Sequence, residues 1–220
     1  SFREDGLVHH ATWKLRHRVP WASFDVNFLR GTRVMDDSLP PLTVWMRHVD
    51  GAGRVDDVKF SDLKKAKDYD RRVALDVARA FQFFSQQLGA PLAPEFNAVE
   101  TPLWVYEAYP GLVHMMLRED KMLPGAEYTP DVIRAHEVSH QWFGRAGVAP
   151  ATYHDAWLSE GFADFCSIWY LQASRKDAKN YFKVLDAWCE KLLTNRRYIL
   201  GKGQEAGPIW LGGRTSTSST

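Results

Sequence analysis

The segment His136-Glu137-Val138-Ser139-His140, with Glu160 following in Trp157-Leu158-Ser159-Glu160-Gly161-Phe162-Ala163, constrains this chain more than any other feature. On a helix, residues four apart share a face, so the imidazoles of His136 and His140 can meet at one ion while Glu137 sits beside it. A catalytic zinc takes three protein ligands and keeps a fourth position open, and a carboxylate on a second helix completes the set. Glu160 is the candidate. The chain must then bring two helices side by side here. Asp164, four residues past Glu160 and on the same helical face, is placed to accept a hydrogen bond from the non-ligating nitrogen of a zinc histidine. Zinc brings the pKa of a bound water towards about 7, and a neighbouring carboxylate can take its proton and pass it to a leaving amine. Glu137 fits that role. One zinc ion per chain is the expected cofactor.

The helix does not depend on this pattern alone. Thr129 can cap its N-terminus, Pro130 suits the first position, Asp131 complements the dipole and Gly144 can close the far end. The alternative is a pair of ordinary half-buried histidines on an amphipathic helix, with Glu137 solvated. That reading leaves the caps, the second carboxylate helix and Asp164 unexplained together.

Elsewhere the pattern is that of a folded domain. Residues 11–29 alternate as strands do, and Gly31 with Asp36-Asp37-Ser38-Leu39-Pro40-Pro41 is the best boundary in the chain. A strand is expected at 42–49. From Tyr69, Val73, Val77, Ala80, Phe81, Phe84 and Leu88 recur at helical spacing until Gly89 stops them. Strands at 96–103 and 112–117 bracket the aromatic loop 104–110. Two long helices follow near 155–173 and 177–195, with Trp157, Phe162, Phe165, Ile168, Leu185, Trp188 and Leu192 expected inward. From Gly201 the chain turns Gly-rich and ends in a Ser/Thr tail too polar to pack.

With 45% hydrophobic residues in 220, a substantial core can be buried. Twenty-eight basic residues against twenty-seven acidic ones, with no basic stripe, give no electrostatic support for nucleic-acid binding. Lys14-Leu15-Arg16-His17-Arg18 reads as a solvated strand face, and Lys64, Lys65 and Lys67 as surface charge. No membrane segment is expected, since no apolar stretch approaches the ~20 residues that span a bilayer, and there is no signal pattern. Exported and cytoplasmic locations both stay open. Cys166 and Cys189 match no zinc–thiolate spacing, and two buried thiols are favoured over a disulfide.

His136-Glu137-Val138-Ser139-His140-Gln141-Trp142-Phe143-Gly144, then Asp155-Ala156-Trp157-Leu158-Ser159-Glu160-Gly161-Phe162-Ala163, resembles the M1 (aminopeptidase N-like) family of gluzincin zinc metallopeptidases. Val19–Phe28 looks like the last strand of that family's N-terminal β domain, and Leu42–Arg47 with the helix at 69–88 looks like the opening of its catalytic domain. The resemblance implies an α+β fold: a thermolysin-like zinc metallopeptidase catalytic domain with a mixed β-sheet followed by helices. In these terms residues 1–35 are a remnant of a preceding β domain, 41–200 the catalytic domain, and 201–220 a tail or chain break. The implied activity is hydrolysis of peptide bonds, of aminopeptidase type.

There are three departures from the family pattern. Nineteen residues separate His140 from Glu160, one more than is usual, and the extra one belongs to the loop 145–153. The exopeptidase pattern Gly-x-Met-Glu-Asn is missing: the corresponding stretch reads Val105-Tyr106-Glu107-Ala108-Tyr109-Pro110-Gly111-Leu112. Glu107 falls one position from the amine-binding glutamate, and Gly111 and Leu112 match the strand after it, so these three are the candidate substrate-binding residues. By the same resemblance, Gly111 to Met115 form the cleft edge; the alternative is an interior hairpin. The family's transition-state tyrosine lies beyond the last residue, so the chain reads as a catalytic-domain fragment on which a C-terminal part of the parent chain packs. The rival readings are a non-catalytic module that keeps its metal and holds a peptide or partner, and an endopeptidase or other gluzincin.

Overall fold

A computed structural model of the chain describes residues 2–5, 8–12, 14, 22–26, 29–47, 53–102, 106–116, 130–144, 146–194, 196–197 and 201–202. In chain order the elements are β1 (Phe2–Asp5), β2 (Val8–Ala11), β3 (Arg30–Met35), β4 (Leu42–Met46), β5 (Val55–Lys59), α1 (Phe60–Leu63), α2 (Tyr69–Leu88), β6 (Phe96–Thr101), β7 (Glu107–Tyr109), β8 (Leu112–Met116), α3 (Pro130–Ser139), a 3-10 turn (Tyr153–Asp155), α4 (Ala156–Ala173), α5 (Ala178–Thr194), β9 (Arg196–Arg197) and β10 (Gly201–Lys202). β1 pairs with β2 and β9 with β10. The remaining six strands form one mixed sheet in the order β5-β3-β4-β6-β8-β7, antiparallel at β3/β4 and β7/β8 and parallel elsewhere. The fold is α+β, a mixed sheet followed by helices.

Register assigns the faces of the sheet. Thr32, Val44, Ala98, Val113 and Ala108 stand opposite one another in a single row across five strands. Most of that row, with Val34, Leu42 and Phe96 in the next, packs into the core with α2 and α3. Because side chains alternate along a strand, Glu107, Tyr109, Leu112 and His114 lie on the opposite face.

α2 starts where the Asp68 carboxylate accepts a hydrogen bond from the Arg71 backbone N–H at 3.0 Å and stops at Gly89. It buries Val73, Val77, Phe81 and Phe84 completely or nearly so. The Trp142 indole, just past α3, lies tilted against Phe81 and Phe84 and donates to the Gly89 carbonyl at 2.9 Å. Arg134 on α3 pairs with Asp76 on α2 at 2.6 Å, and its guanidinium lies 5.9 Å from the Tyr69 ring centre. Burial of Asp76 works to raise its pKa, opposed by Arg134, and the net direction is upward. These contacts fix α3 against α2, and α4 packs on α3 while its Trp169 and Tyr170 rings meet Phe83 and Phe84 of α2.

Four expectations change. The sheet reaches back across the expected boundary: β3 pairs with β4 through the Asp36–Pro41 turn, where Asp36 accepts from the Ser38 backbone N–H at 2.8 Å, so that polar cluster is a hairpin turn. Second, Pro110-Gly111 folds residues 107–109 back onto β8 as a further strand, so Gly111 to Met115 are interior and β7 holds the edge. Third, Trp157, Phe162 and Phe165 are exposed, at 41%, 40% and 55%. α4 is apolar nearly all round, and its inward positions hold Ala163, Cys166, Ser167, Tyr170 and Leu171 beside the site residues, which turns those aromatics outward. Ile168 is buried as expected, Leu185 and Trp188 are half-buried, and the Leu192 side chain lies outside the described residues. Finally, both cysteines are free, but only Cys166 is buried; Cys189 shares the exposed row of α5 with Phe182 and Leu193. Most of the expected 11–29 alternation and the Thr129 cap fall outside the described residues. Among the described residues, no helix is long and apolar enough to cross a membrane.

Candidate metal centre

α3 delivers His136 on its last turn and His140 immediately beyond its end. α4 delivers Glu160 and, one turn on, Asp164. The Glu160 Oε2 atom lies 3.2 Å from His136 Nε2 and 3.7 Å from His140 Nε2. One donor atom from each of the three residues lies within 4.8 Å of the others. Zinc–nitrogen and zinc–oxygen bonds of about 2.0–2.2 Å place tetrahedral donors about 3.3 Å apart, so the set fits that ion with small adjustments. The other ring nitrogens are occupied: His136 Nδ1 is 3.0 Å from Asp164 Oδ1, and His140 Nδ1 is 3.1 Å from the Phe143 carbonyl oxygen. Both partners accept, so each Nδ1 carries the proton, and with a zinc ion bound each Nε2 would present its lone pair to it.

The electrostatics ask for a cation. Burial works to lower the pKa of His136, but the Asp164 and Glu160 hydrogen bonds and the nearby Glu137 charge outweigh it and lift the imidazole to about 10. Hydrogen bonds from His136 and His140 in turn hold the Glu160 carboxyl well below the usual carboxylate range. In the metal-free chain a proton on His136 supplies the positive charge that zinc would bring. Glu137, one residue along, is itself buried.

Backbone geometry makes room for this cluster. Gly144 has φ +100, and a Cβ there would stand 2.4 Å from Ser159 Oγ and 3.0 Å from His140 Nδ1. Only glycine lets the chain turn under His140 closely enough for the Phe143 carbonyl to reach its ring. Phe143 and Phe162 stack at 4.8 Å between ring centres, joining the two ligand-bearing segments.

The candidate substrate residues are placed differently. Glu107 receives the Tyr109 hydroxyl at 3.3 Å and stands 3.6 Å from His114 Nδ1, on the sheet face away from the helices. Ala108 occupies the helix-facing position. Pro110 and Gly111 form the β7–β8 turn, and Leu112 opens β8. A residue that sequence reasoning passed over holds this turn: Gln141 accepts from the Gly111 N–H at 2.8 Å and donates to the Tyr109 carbonyl at 2.9 Å. Its only sequence signal is a polar residue at a position that had to be buried beside His140.

Residues 112–199 match the peptidase family M1 domain. The match to the peptidase family M1 domain is confined to that stretch, less than half of the chain. Among M1 relatives, aminopeptidase N of Mus musculus is 36% identical over 72 residues, 33% of this chain and 7% of the relative. The thyrotropin-releasing hormone-degrading ectoenzyme of Rattus norvegicus is 30% identical over 95 residues, 40% of this chain and 9% of the relative. The matched stretch is thus less than a tenth of either relative's length. An M1 zinc metallopeptidase from Deinococcus radiodurans, in a mutant form bound to a Tyr-Ser-Ala substrate, is similar with a TM-score of 0.53 at 16% identity, covering 95% of this chain and 44% of that one. Another structure of an M1 zinc metallopeptidase from Deinococcus radiodurans gives 0.50 at 19% identity, over 80% and 35%. These likenesses carry the fold.

Proposed function

We propose that the chain is the catalytic part of a zinc-dependent peptidase, of aminopeptidase type. The observation that carries this reading is the convergence of His136 Nε2, His140 Nε2 and Glu160 Oε2, with both Nδ1 atoms already engaged. Bound there, one zinc ion supplies Lewis acidity, which polarises a carbonyl and brings the pKa of a ligated water to about 7. Asp164 and the Phe143 carbonyl hold the two imidazoles in the ligating tautomer. Glu137, buried next to His136, accepts the proton of the attacking water and returns it to the leaving amine. β7, as the outermost strand of the sheet, offers a backbone edge on which an extended peptide can add as a further strand.

Glu137→Gln tests the mechanism. It keeps size and shape but takes no proton, so zinc content should stay at one per chain while peptide hydrolysis drops by at least about 10²-fold. Hydrolysis at the parent's rate would remove Glu137 from its role. Comparing a free peptide with its N-acetylated form tests the aminopeptidase type: equal cleavage of the two would rule it out. Endopeptidase action is the second reading, favoured by Ala108 at the helix-facing position of β7 and Glu107 on the other face.

A further inference from the structure

We infer that Gln141 is a positioning residue that couples the metal-bearing helix to the strand edge on which a peptide would lie, an inference that rests on the peptidase reading above. β7 is three residues long and, among the described residues, pairs with β8 alone. Its turn is tied down from two sides. The Gly111 carbonyl accepts from the Asn97 N–H of β6 at 2.8 Å, and the Gly111 N–H and Tyr109 carbonyl both bond to the Gln141 amide. Gln141 is 1% exposed and follows His140 directly, so its fork is rigidly referenced to a metal ligand. A buried amide is stable only with its partners in place, and here both partners are backbone groups of one turn, which fixes the turn's distance and its rotation together. Gly111 itself adopts φ +76 to make that approach. Ordering of His140 by a metal is thereby passed to β7, and coupling of this kind is reciprocal.

The experiment follows amide hydrogen exchange at Gly111 by NMR in the full chain, with and without zinc, using the Val77 amide in the middle of α2 to report global opening. In the wild type, zinc should slow Gly111 exchange about tenfold more than it slows Val77 exchange. Gln141→Leu fills similar volume without the fork. It should retain one zinc per chain, lose that extra protection, and raise KM for a peptide about tenfold with kcat within about twofold. Gln141→Glu keeps an acceptor for the Gly111 N–H and should restore part of the protection. Zinc-dependent protection that is absent in the wild type, or unchanged in Gln141→Leu, overturns the inference. So does a parallel loss at Gly111 and Val77 with KM unchanged, which is the signature of a purely structural residue. If the wild type cleaves no peptide, the peptidase reading falls while the exchange measurement still decides whether Gln141 couples the two elements.

Discussion

His136 and His140 face one point because a helix repeats every 3.6 residues, and no error in placing that helix within the fold separates them. Glu107 and Ala108, on a strand, obey a period of two, and a shift of one residue exchanges the faces. Glu107 stands one position from where the family resemblance puts an amine-binding glutamate. On a helix such an offset rotates a side chain by about 100° and leaves it near its target. On β7 it sends the carboxylate to the far side of the sheet, beside Tyr109 and His114, and leaves Ala108 against the core. A motif carried by a helix can be read from spacing, whereas one carried by a short strand needs the register.

The helical half of this contrast breaks most completely if the ligands are wrong. His136→Ala, His140→Ala and Glu160→Ala each leave two of the three donors, and metal analysis of purified protein should show zinc falling from one per chain to a small fraction. Stoichiometric zinc in any of these variants refutes that ligand. A smaller effect is expected at Asp164, which touches only the outward nitrogen of His136. Asp164→Ala should weaken zinc about 10- to 100-fold in a competition titration, since the imidazole loses the partner that sets its tautomer. Unchanged affinity would mean that His136 is oriented by packing alone.

The helices were legible for the same local reason. Expected spans 69–88, 155–173 and 177–195 correspond to the observed Tyr69–Leu88, Ala156–Ala173 and Ala178–Thr194, because caps and periodicity act within a few residues. The sheet was legible where strands carry alternation, as in β4 and β6, and illegible at β7. Three residues from an aromatic loop become a strand there through the Pro110-Gly111 turn and the Gln141 bonds, and neither shows in hydrophobic pattern. α4 failed differently. Its polar residues Glu160 and Asp164 turn towards His136 of α3, so a rule that sends aromatics inward puts Trp157, Phe162 and Phe165 on the wrong side.

Gly144 joins the two halves, since it turns the chain between His140 and α4. Gly144→Ala forces a Cβ into a left-handed conformation and into Ser159 Oγ, whose neighbour is Glu160. The backbone strain alone costs about 1–2 kcal/mol, so urea unfolding of the metal-free protein should show at least that loss. A variant as stable as the parent would show that the His140–Phe143 contact survives without the glycine.

The smallest expected effect lies at Glu107, and it probes the strand half of the contrast directly. Its side chain is 40% exposed, its approach to His114 is 3.6 Å, and its bond from Tyr109 is 3.3 Å. Partly exposed interactions of this kind are worth less than about 1 kcal/mol, so Glu107→Ala should leave folding stability nearly unchanged. Zinc content should also hold, because none of the contacts of Glu107 reaches a ligand. The informative measurement is the ratio of cleavage of a free peptide to its N-acetylated form. A carboxylate that bound the α-ammonium would contribute a charge-assisted hydrogen bond, about 1.5–3 kcal/mol, and its removal would lower that ratio roughly 10- to 100-fold. A carboxylate on the opposite face of the sheet contributes nothing to it, and the ratio should stay within about twofold of the parent's. A tenfold fall would show that β7 shifts by one residue when a peptide binds, bringing Glu107 round to the face that Ala108 holds in this structure, and the face assignment drawn from the register would then describe only the peptide-free chain.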